Sequence, residues 1–380
     1  MNQWQKVALG EVMRLDLAPH HVEPDTNYPN IGIYSFGRGT FAKPPIESAT
    51  TSASTLYRVS AGQVIYSRLF AFEGAYATVP PEHDGAFVSN EFPTFTVIDE
   101  KASSAYIGWL FRSAVTWQAL RQNTVGMGDR RQRIHPASVL ALPISLPSLS
   151  VQHAIANRLD RVSDAIVARG RAATSRASEV EATLRAAFAR IIANAPRVAM
   201  GEIAPLVRRP VEIDPDASYP ELGVRSFGKG TFHKPALPGI EVGTKKLFTV
   251  GAGDLLFNIV FAWEGAVAVA ADKDAGRVGS HRFLTCVPDP SRATSEFLRF
   301  WFLGEEGILA LGQASPGGAG RNRTLGIKAL EAIKVPVPSL DAQLWFDSLQ
   351  FKARAAKAAQ AEATTHLDQL LPAMLDEVFG

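Results

Sequence analysis

The 380-residue chain is 46% hydrophobic and 20% charged, a balance that excludes a disordered chain and allows sizeable buried cores. Its net charge of +2 excludes an overall positive field, so any grip on nucleic acid has to come from local basic patches. The single cysteine, Cys286, excludes a disulfide framework within the chain and a multi-cysteine zinc site.

The opening segment, MNQWQKVALGEVMRL, lacks the apolar core of a signal peptide. No apolar run approaches the ~20 residues a membrane-spanning helix needs. A soluble cytoplasmic protein is expected, with no membrane contact.

In chain order, residues 28 to 44 read YPNIGIYSFGRGTFAKP, a β-rich stretch broken by glycines. GQVIYSRLFAF (62 to 72) and FPTFTVI (92 to 98) follow as strands, and SAYIGWLFRSAVTWQALRQ (104 to 122) as helix. A Gly/Arg-rich loop, GMGDRRQRIHP, leads into a proline-punctuated strand, LPISLPSL. Residues 151 to 193 then change character. They are rich in Ala, Arg and Glu, hold no proline, and carry Ile155, Leu159, Val162 and Ile166, then Val180, Leu184, Phe188 and Ile191, on one face. That spacing predicts one long amphipathic helix.

The same order then recurs. YPELGVRSFGKGTFHKP (219 to 235) aligns with 28 to 44 at an offset of 191 (219 − 28), and the offset holds through the chain. Phe70-Ala71-Phe72-Glu73-Gly74-Ala75 meets Phe261-Ala262-Trp263-Glu264-Gly265-Ala266, and Pro147-Ser148-Leu149-Ser150-Val151-Gln152 meets Pro338-Ser339-Leu340-Asp341-Ala342-Gln343. GDLLFNIVFAW, RFLTCVP, TSEFLRFWFLGEEGILALG, PGGAGRNRTLG and IKVPVPSL repeat the strands, helix and loop. A second long helix, 341 to 379, carries a weaker stripe through Leu349, Ala356, Leu367, Leu370 and Met374, with Pro372 expected to kink it. A repeat of this length means two similar domains and not a solenoid. The expected fold is α/β (α+β): two similar mixed α/β domains, 1-149 and 197-340, separated and joined by long helices, 150-196 and 341-380. Two helices with so long a stripe are expected to pack as an antiparallel coiled coil, giving a pseudo-twofold tandem repeat. The alternative is that each helix lies on its own domain.

Gly223, Gly228 and Lys229 open a phosphate-binding-loop pattern, yet Gly230 and Gly39 stand where its Mg²⁺-binding hydroxyl belongs, and the first copy has Arg38 where its lysine belongs. Nucleotide hydrolysis is therefore not expected. What remains is a three-glycine loop per copy (Gly32, Gly37, Gly39; Gly223, Gly228, Gly230) bearing a cation, with Lys43 and Lys234 close behind. Such a loop suits phosphate oxygens, or is a tight turn with solvated cations. Arg130, Arg131 and Arg133 beside Gly126 and Gly128, matched by Arg321 and Arg323, offer forked donors of the same use. Glu73 and Glu264 have no repeated acid–base partner and read as carboxylates bonded to a turn. The eight histidines form no ligand pattern, and no methyltransferase, dinucleotide or nuclease motif stands out, so no catalytic residue, metal or cofactor is assigned.

The layout resembles the specificity (S) subunit of type I restriction–modification systems. The resemblance spans the chain and is carried by Leu9-Gly10-Glu11-Val12, the Gly-x-x-Arg loop before IHPASVLALPISLPSLSVQ, its partner ending KVPVPSLDAQ, and the closing LDQLLPAMLDEVFG. It implies a non-catalytic, sequence-specific DNA-binding subunit. The two domains would be target recognition domains reading a bipartite sequence in double-stranded DNA, on helices that act as spacers. Its partners would be methyltransferase (M) subunits, two per chain, and through them restriction (R) subunits. Helix length would then set the gap between the half-sites. Within that reading, phosphate contacts fall to Arg38, Lys43, Arg130, Arg131, Arg133, Lys229, Lys234, Arg321 and Arg323. Base reading falls where the copies differ: Tyr34 against Arg225, Ala42 against His233, Ser67 against Asn258, Arg68 against Ile259, and Asn90 against His281. A DNA-recognition subunit of a type II modification enzyme would look the same, and a coiled-coil scaffold that binds proteins is the alternative of another class.

Overall fold

The computed structural model describes residues 4 to 122, 133 to 317 and 323 to 380. They form two compact units, Met1–Thr174 with Gln360–Gly380, and Ser175–Ala359. Each is a mixed α/β body, as the alternation of short β-rich runs and helices predicts.

The first unit begins with β1 (Gln5–Ala8), β2 (Met13–Leu15), β3 (Ala18–His21), β4 (Asn27–Ile33) and β5 (Thr40–Glu47). It continues with β6 (Thr55–Arg58), β7 (Val64–Tyr66), β8 (Tyr76–Thr78), β9 (Phe87–Val88) and β10 (Thr94–Val97). Helices α1 (Ser104–Leu110), α2 (Ala114–Gln122) and α3 (Pro136–Leu140) precede β11 (Pro143–Leu146) and the long α4 (Leu149–Ile192). The strands pair in the orders β3-β6-β9-β4-β5, β2-β10-β7-β8 and β1-β11. Pairing is antiparallel except for β4 beside β9, which places Asn30 opposite Phe87. Tyr66, Tyr76, Phe95 and Phe111 stack through the core with ring centroids 4.9 to 5.9 Å apart.

The second unit repeats the plan. It holds β12 (Arg197–Ala199), α5 (Met200–Ile203), β13 (Ser218–Val224), β14 (Thr231–Pro238), α6 (Gly239–Val242), β15 (Leu247–Thr249), β16 (Leu255–Asn258) and β17 (Val267–Val269). Next come β18 (Val278–Ser280), β19 (Phe283–Cys286), α7 (Ser295–Leu303), α8 (Glu305–Gln313), α9 (Ile327–Ala332), β20 (Lys334–Pro336) and α10 (Leu340–Phe379). Its sheets run β14-β13-β18-β15, β17-β16-β19 and β12-β20, and β13 pairs parallel with β18.

The repeated Pro-Ser-Leu-x-x-Gln segment has a mechanical reason. Gln152 and Gln343 are fully buried at the start of α4 and α10. The Gln152 amide oxygen accepts from the Ser103 N–H at 2.8 Å while its nitrogen donates to Pro147 O. Gln343 accepts from the Thr294 N–H and donates to Pro338 O and Arg292 O, the last two at 2.9 Å. Each glutamine thus satisfies backbone groups of the globular body and of the helix approach, and ties a long helix to that body.

The long helices, 44 and 40 residues, pack together. In the first unit Ala156 and Leu159 of α4 share a buried cluster with Met374 and Leu375 of α10, closed by Trp109. In the second, Phe188 of α4 meets Phe346 of α10 at 5.1 Å beside Phe297 of α7. The start of each helix therefore packs with the end of the other, and both ends also rest on a globular body. The stripe read from sequence is not buried throughout: Val180 and Ala356 are exposed on inner turns of α4 and α10, and Leu370 is exposed although Met374 and Leu375 beside it are buried. Helix α10 runs through Pro372 without interruption. Among the described residues no helix is long and apolar enough to cross a membrane.

Candidate nucleic-acid interface

In each unit the glycine-rich segment is the apex of a long hairpin, β4–β5 in the first and β13–β14 in the second. Strands β5 and β14 are the outermost of their sheets and show the same exposed run of residues. Lys43-Pro44-Pro45 and Lys234-Pro235 lie on them, charges and prolines that also keep an outer strand from pairing with another sheet.

The apex is clamped from below by the Phe-x-x-Glu-Gly motif, so two repeated sequence signatures turn out to be one structure. The N–H groups of Phe36 and Gly37 donate to the carbonyls of Glu73 and Gly74 at 2.8 and 2.9 Å, and Ser35 Oγ donates to Glu73 Oε2 at 3.1 Å. In the second unit the Phe227 and Gly228 N–H groups donate to Glu264 O and Gly265 O at the same two distances, and Ser226 Oγ to Glu264 Oε2 at 3.1 Å. The two glutamates are half-buried and turned toward the apex serine, the structural role expected of them. Gly74 has φ +76°, and a β-carbon there would collide with the Trp117 ring, so this corner needs glycine.

Phe36 and Phe227, which sequence reasoning passed over in favour of the glycines and cations, sit at φ 64° and 60°. A left-handed conformation costs a residue with a β-carbon about 1–2 kcal/mol. The two residues are 63% and 72% exposed, so neither supports a core. The only signal in the sequence is that a bulky residue stands twice where glycine would be easier.

The cations cluster here. Arg38 is exposed, its Nε donates to Ser35 O at 2.9 Å, and its guanidinium lies 5.2 Å from the Tyr34 ring. Tyr34 itself stacks on Phe41 at 4.3 Å. In the second unit Arg225 donates to Thr231 O at 3.0 Å and lies over Phe232, and Lys229 Nζ is 5.8 Å from the Phe227 ring. Lys43 and Lys234 are exposed on the adjoining strands. Among the described residues Arg38, Lys43, Arg225, Lys229 and Lys234 form no ion pair.

The other expected site residues divide. In the first unit Arg68 and Asn90 come together at a cavity of about 400 Å³, lined also by Tyr57, Phe92 and His135. The Arg68 Nε is buried there with no hydrogen-bond partner among the described residues. Arg133, instead of standing free, pairs with Glu91 at 3.0 Å. In the second unit His233 is hydrogen-bonded through Nε2 to Asp274 at 2.8 Å, and Thr231 Oγ1 donates to the same carboxylate. Burial alone would raise the Asp274 carboxyl, but hydrogen bonds from His233, the Ala271 amide and Thr231 outweigh it and hold it below the usual carboxylate range. Asn258 spends its amide oxygen on the Val260 N–H, His281 is exposed just after β18, and the Arg323 guanidinium lies 5.2 Å from the Trp263 ring. Of the paired positions, Ser67 and Ile259 are not exposed, whereas Ala42 is. Arg130, Arg131 and Arg321 lie outside the described residues.

No protein-family model matches the sequence, and no curated protein matches it. Among solved structures, the chain is similar to the HsdS subunit from Thermoanaerobacter tengcongensis, with a TM-score of 0.63 and 21% identity over 100% of this chain and 97% of that one. It is also similar to a chain from a structure addressing complex assembly and conformational transition of the type I R-M system, with a TM-score of 0.68 and 20% identity over 99% and 97%. At this identity the likeness establishes the fold. The chain has an HsdS-type fold along its whole length, the architecture that the sequence resemblance implied.

Proposed function

We propose that this chain is the specificity subunit of a type I restriction–modification complex. It reads a bipartite sequence in double-stranded DNA, performs no chemistry, and docks two methyltransferase subunits and, through them, restriction subunits. Residues 1-149 and 197-340 are the recognition domains in this reading, and 150-196 and 341-380 the spacers.

The observation that carries the reading is the pair of cationic hairpins, one per unit, whose charges no acidic side chain neutralises among the described residues. Unpaired cations on an exposed, clamped turn suit a polyanion. Arg38, Lys43, Lys229 and Lys234 contact phosphates and set register in this reading, as do Arg130, Arg131, Arg133, Arg321 and Arg323 of the Gly/Arg-rich segments. Tyr34, Arg68 and Asn90 in one unit, and Arg225, His233, Asn258 and His281 in the other, read bases. Arg68 fits this role best, since a buried guanidinium nitrogen without a partner gains most from one.

Long-read methylation mapping of cells that carry the cognate methyltransferase gene, with and without this chain, tests the proposal. The expected result is a bipartite methylated motif present only with the chain. An expressed, intact complex that produces no chain-dependent motif overturns it and favours a protein-binding scaffold.

A further inference from the structure

We infer that Phe36 and Phe227 are aromatic contact residues, each pressing its ring against a base step of duplex DNA at one half-site. The inference rests on the DNA-reading proposal above. Three observations support it together.

The first is conformational. Both phenylalanines hold a left-handed backbone that glycine adopts freely, and the only other non-glycine residue with positive φ among the described residues is Asp25. The clamp uses the backbone of this position, through its N–H to Glu73 or Glu264, and asks nothing of the ring. A residue that strains the turn without serving it points to a role outside the turn.

The second is exposure on a rigid support. Each ring stands in solvent at the tip of a turn held by three hydrogen bonds to the Phe-x-x-Glu-Gly corner. Among the described residues only Phe36 has an aromatic neighbour at its edge, Trp117 at 6.4 Å. A ring fixed before binding loses little freedom on contact.

The third is the charge around it. The Arg38 guanidinium lies 6.0 Å from the Phe36 ring and the Lys229 ammonium 5.8 Å from the Phe227 ring, while the only carboxylate in each clamp is bonded to serine. The surface therefore asks for a partner that is flat and apolar in one place and anionic a few ångströms away, as a base step and its phosphate are. Protein wedges of this kind partly unstack the step they enter. The shared phenylalanine would place each unit on the duplex, and the differing neighbours, Tyr34 in one and Arg225 in the other, would supply the difference in sequence.

The test uses the complex assembled with its methyltransferase subunit and the duplex recovered by methylation mapping, with 2-aminopurine placed singly along each half-site. Wild type is expected to brighten the probe at one step per half-site. Phe36→Gly is expected to abolish the signal at one half-site and Phe227→Gly at the other, each with a loss of about tenfold or more in affinity. Their melting temperatures are expected to hold or rise, because glycine relieves the backbone, and Phe36→Tyr and Phe227→Tyr are expected to retain the signal. Glycine variants that keep both affinity and probe signal while methylating the same motif overturn the inference and leave the DNA-reading proposal standing. So does release of the methyltransferase subunit with DNA affinity unchanged, which would mark a protein contact, or a drop in melting temperature with loss of both half-sites. A wild-type complex without sequence preference defeats the DNA-reading proposal itself.

Discussion

Three kinds of side chain set the local chemistry. Lys43 and Lys234, which form no ion pair among the described residues, lie on outer strands, where a phosphate can approach. Replacing either by alanine is expected to weaken DNA binding by the complex about equally for all sequences and to lower the slope of log K against log[salt] by about one. Titrations at several salt concentrations measure this, and an unchanged slope would remove that lysine from the phosphate contacts. Cys286 is the opposite case, a buried thiol whose pKa burial pushes up to about 12. It is expected to resist aromatic disulfide reagents at mildly alkaline pH until the second unit unfolds, and rapid labelling of native protein would contradict its burial. Asp274 links stability to pH. Its folded pKa lies below the free value of 3.8, so the fold favours the ionised form. That stabilisation is complete above pH ~4 and is lost as pH falls through the folded value. Asp274→Asn is expected to flatten the acid limb of the melting curve, which a series of thermal melts between about pH 6 and pH 3 would show.

At the scale of elements, the long helices depend on their ends. Phe188 lies within 5.1 Å of the Phe297, Phe300 and Phe346 rings, so its removal leaves a cavity among aromatics. Phe188→Ala is expected to cost about 3–5 kcal/mol, whereas Val180→Ala, at an exposed turn of the same helix, is expected to cost less than about 0.5 kcal/mol. Denaturant unfolding of the two variants measures the contrast, and equal effects would contradict an end-weighted helix pair. The helices themselves were legible from their stripes, since a 3.6-residue period needs no tertiary information. Which stretches of stripe are covered was not legible, because that depends on where α1 and α7 lie beneath the helix ends.

For the whole molecule, the DNA-reading proposal implies that two recognition units on one chain turn a weak electrostatic grip into a specific one. With a net charge of +2 the chain alone is expected to bind DNA weakly, and the assembled complex tightly with steep salt dependence. If the long helices are spacers, adding seven residues to both lengthens each by about 10 Å, on the order of three base pairs. The methylated motif is then expected to gain a longer gap with the same half-site bases, and a motif lost or altered in its bases would refute the spacer role. Grafting Arg225, His233, Asn258, Ile259 and His281 onto Tyr34, Ala42, Ser67, Arg68 and Asn90 is expected to make the motif more symmetric, and mapping that returns the original motif would refute the base-reading assignment. The duplication, the α/β class and the two long helices were determined by sequence alone, because constant offset and period are properties of the chain itself. Only the tertiary structure decided that Ser-Phe-Gly and Phe-x-x-Glu-Gly form one clamp, that Arg133 is matched by Glu91, and that Phe36 and Phe227 stand exposed on a strained backbone. Each of these joins residues far apart in the chain or depends on a backbone angle, and neither a distant contact nor a dihedral is written in local composition.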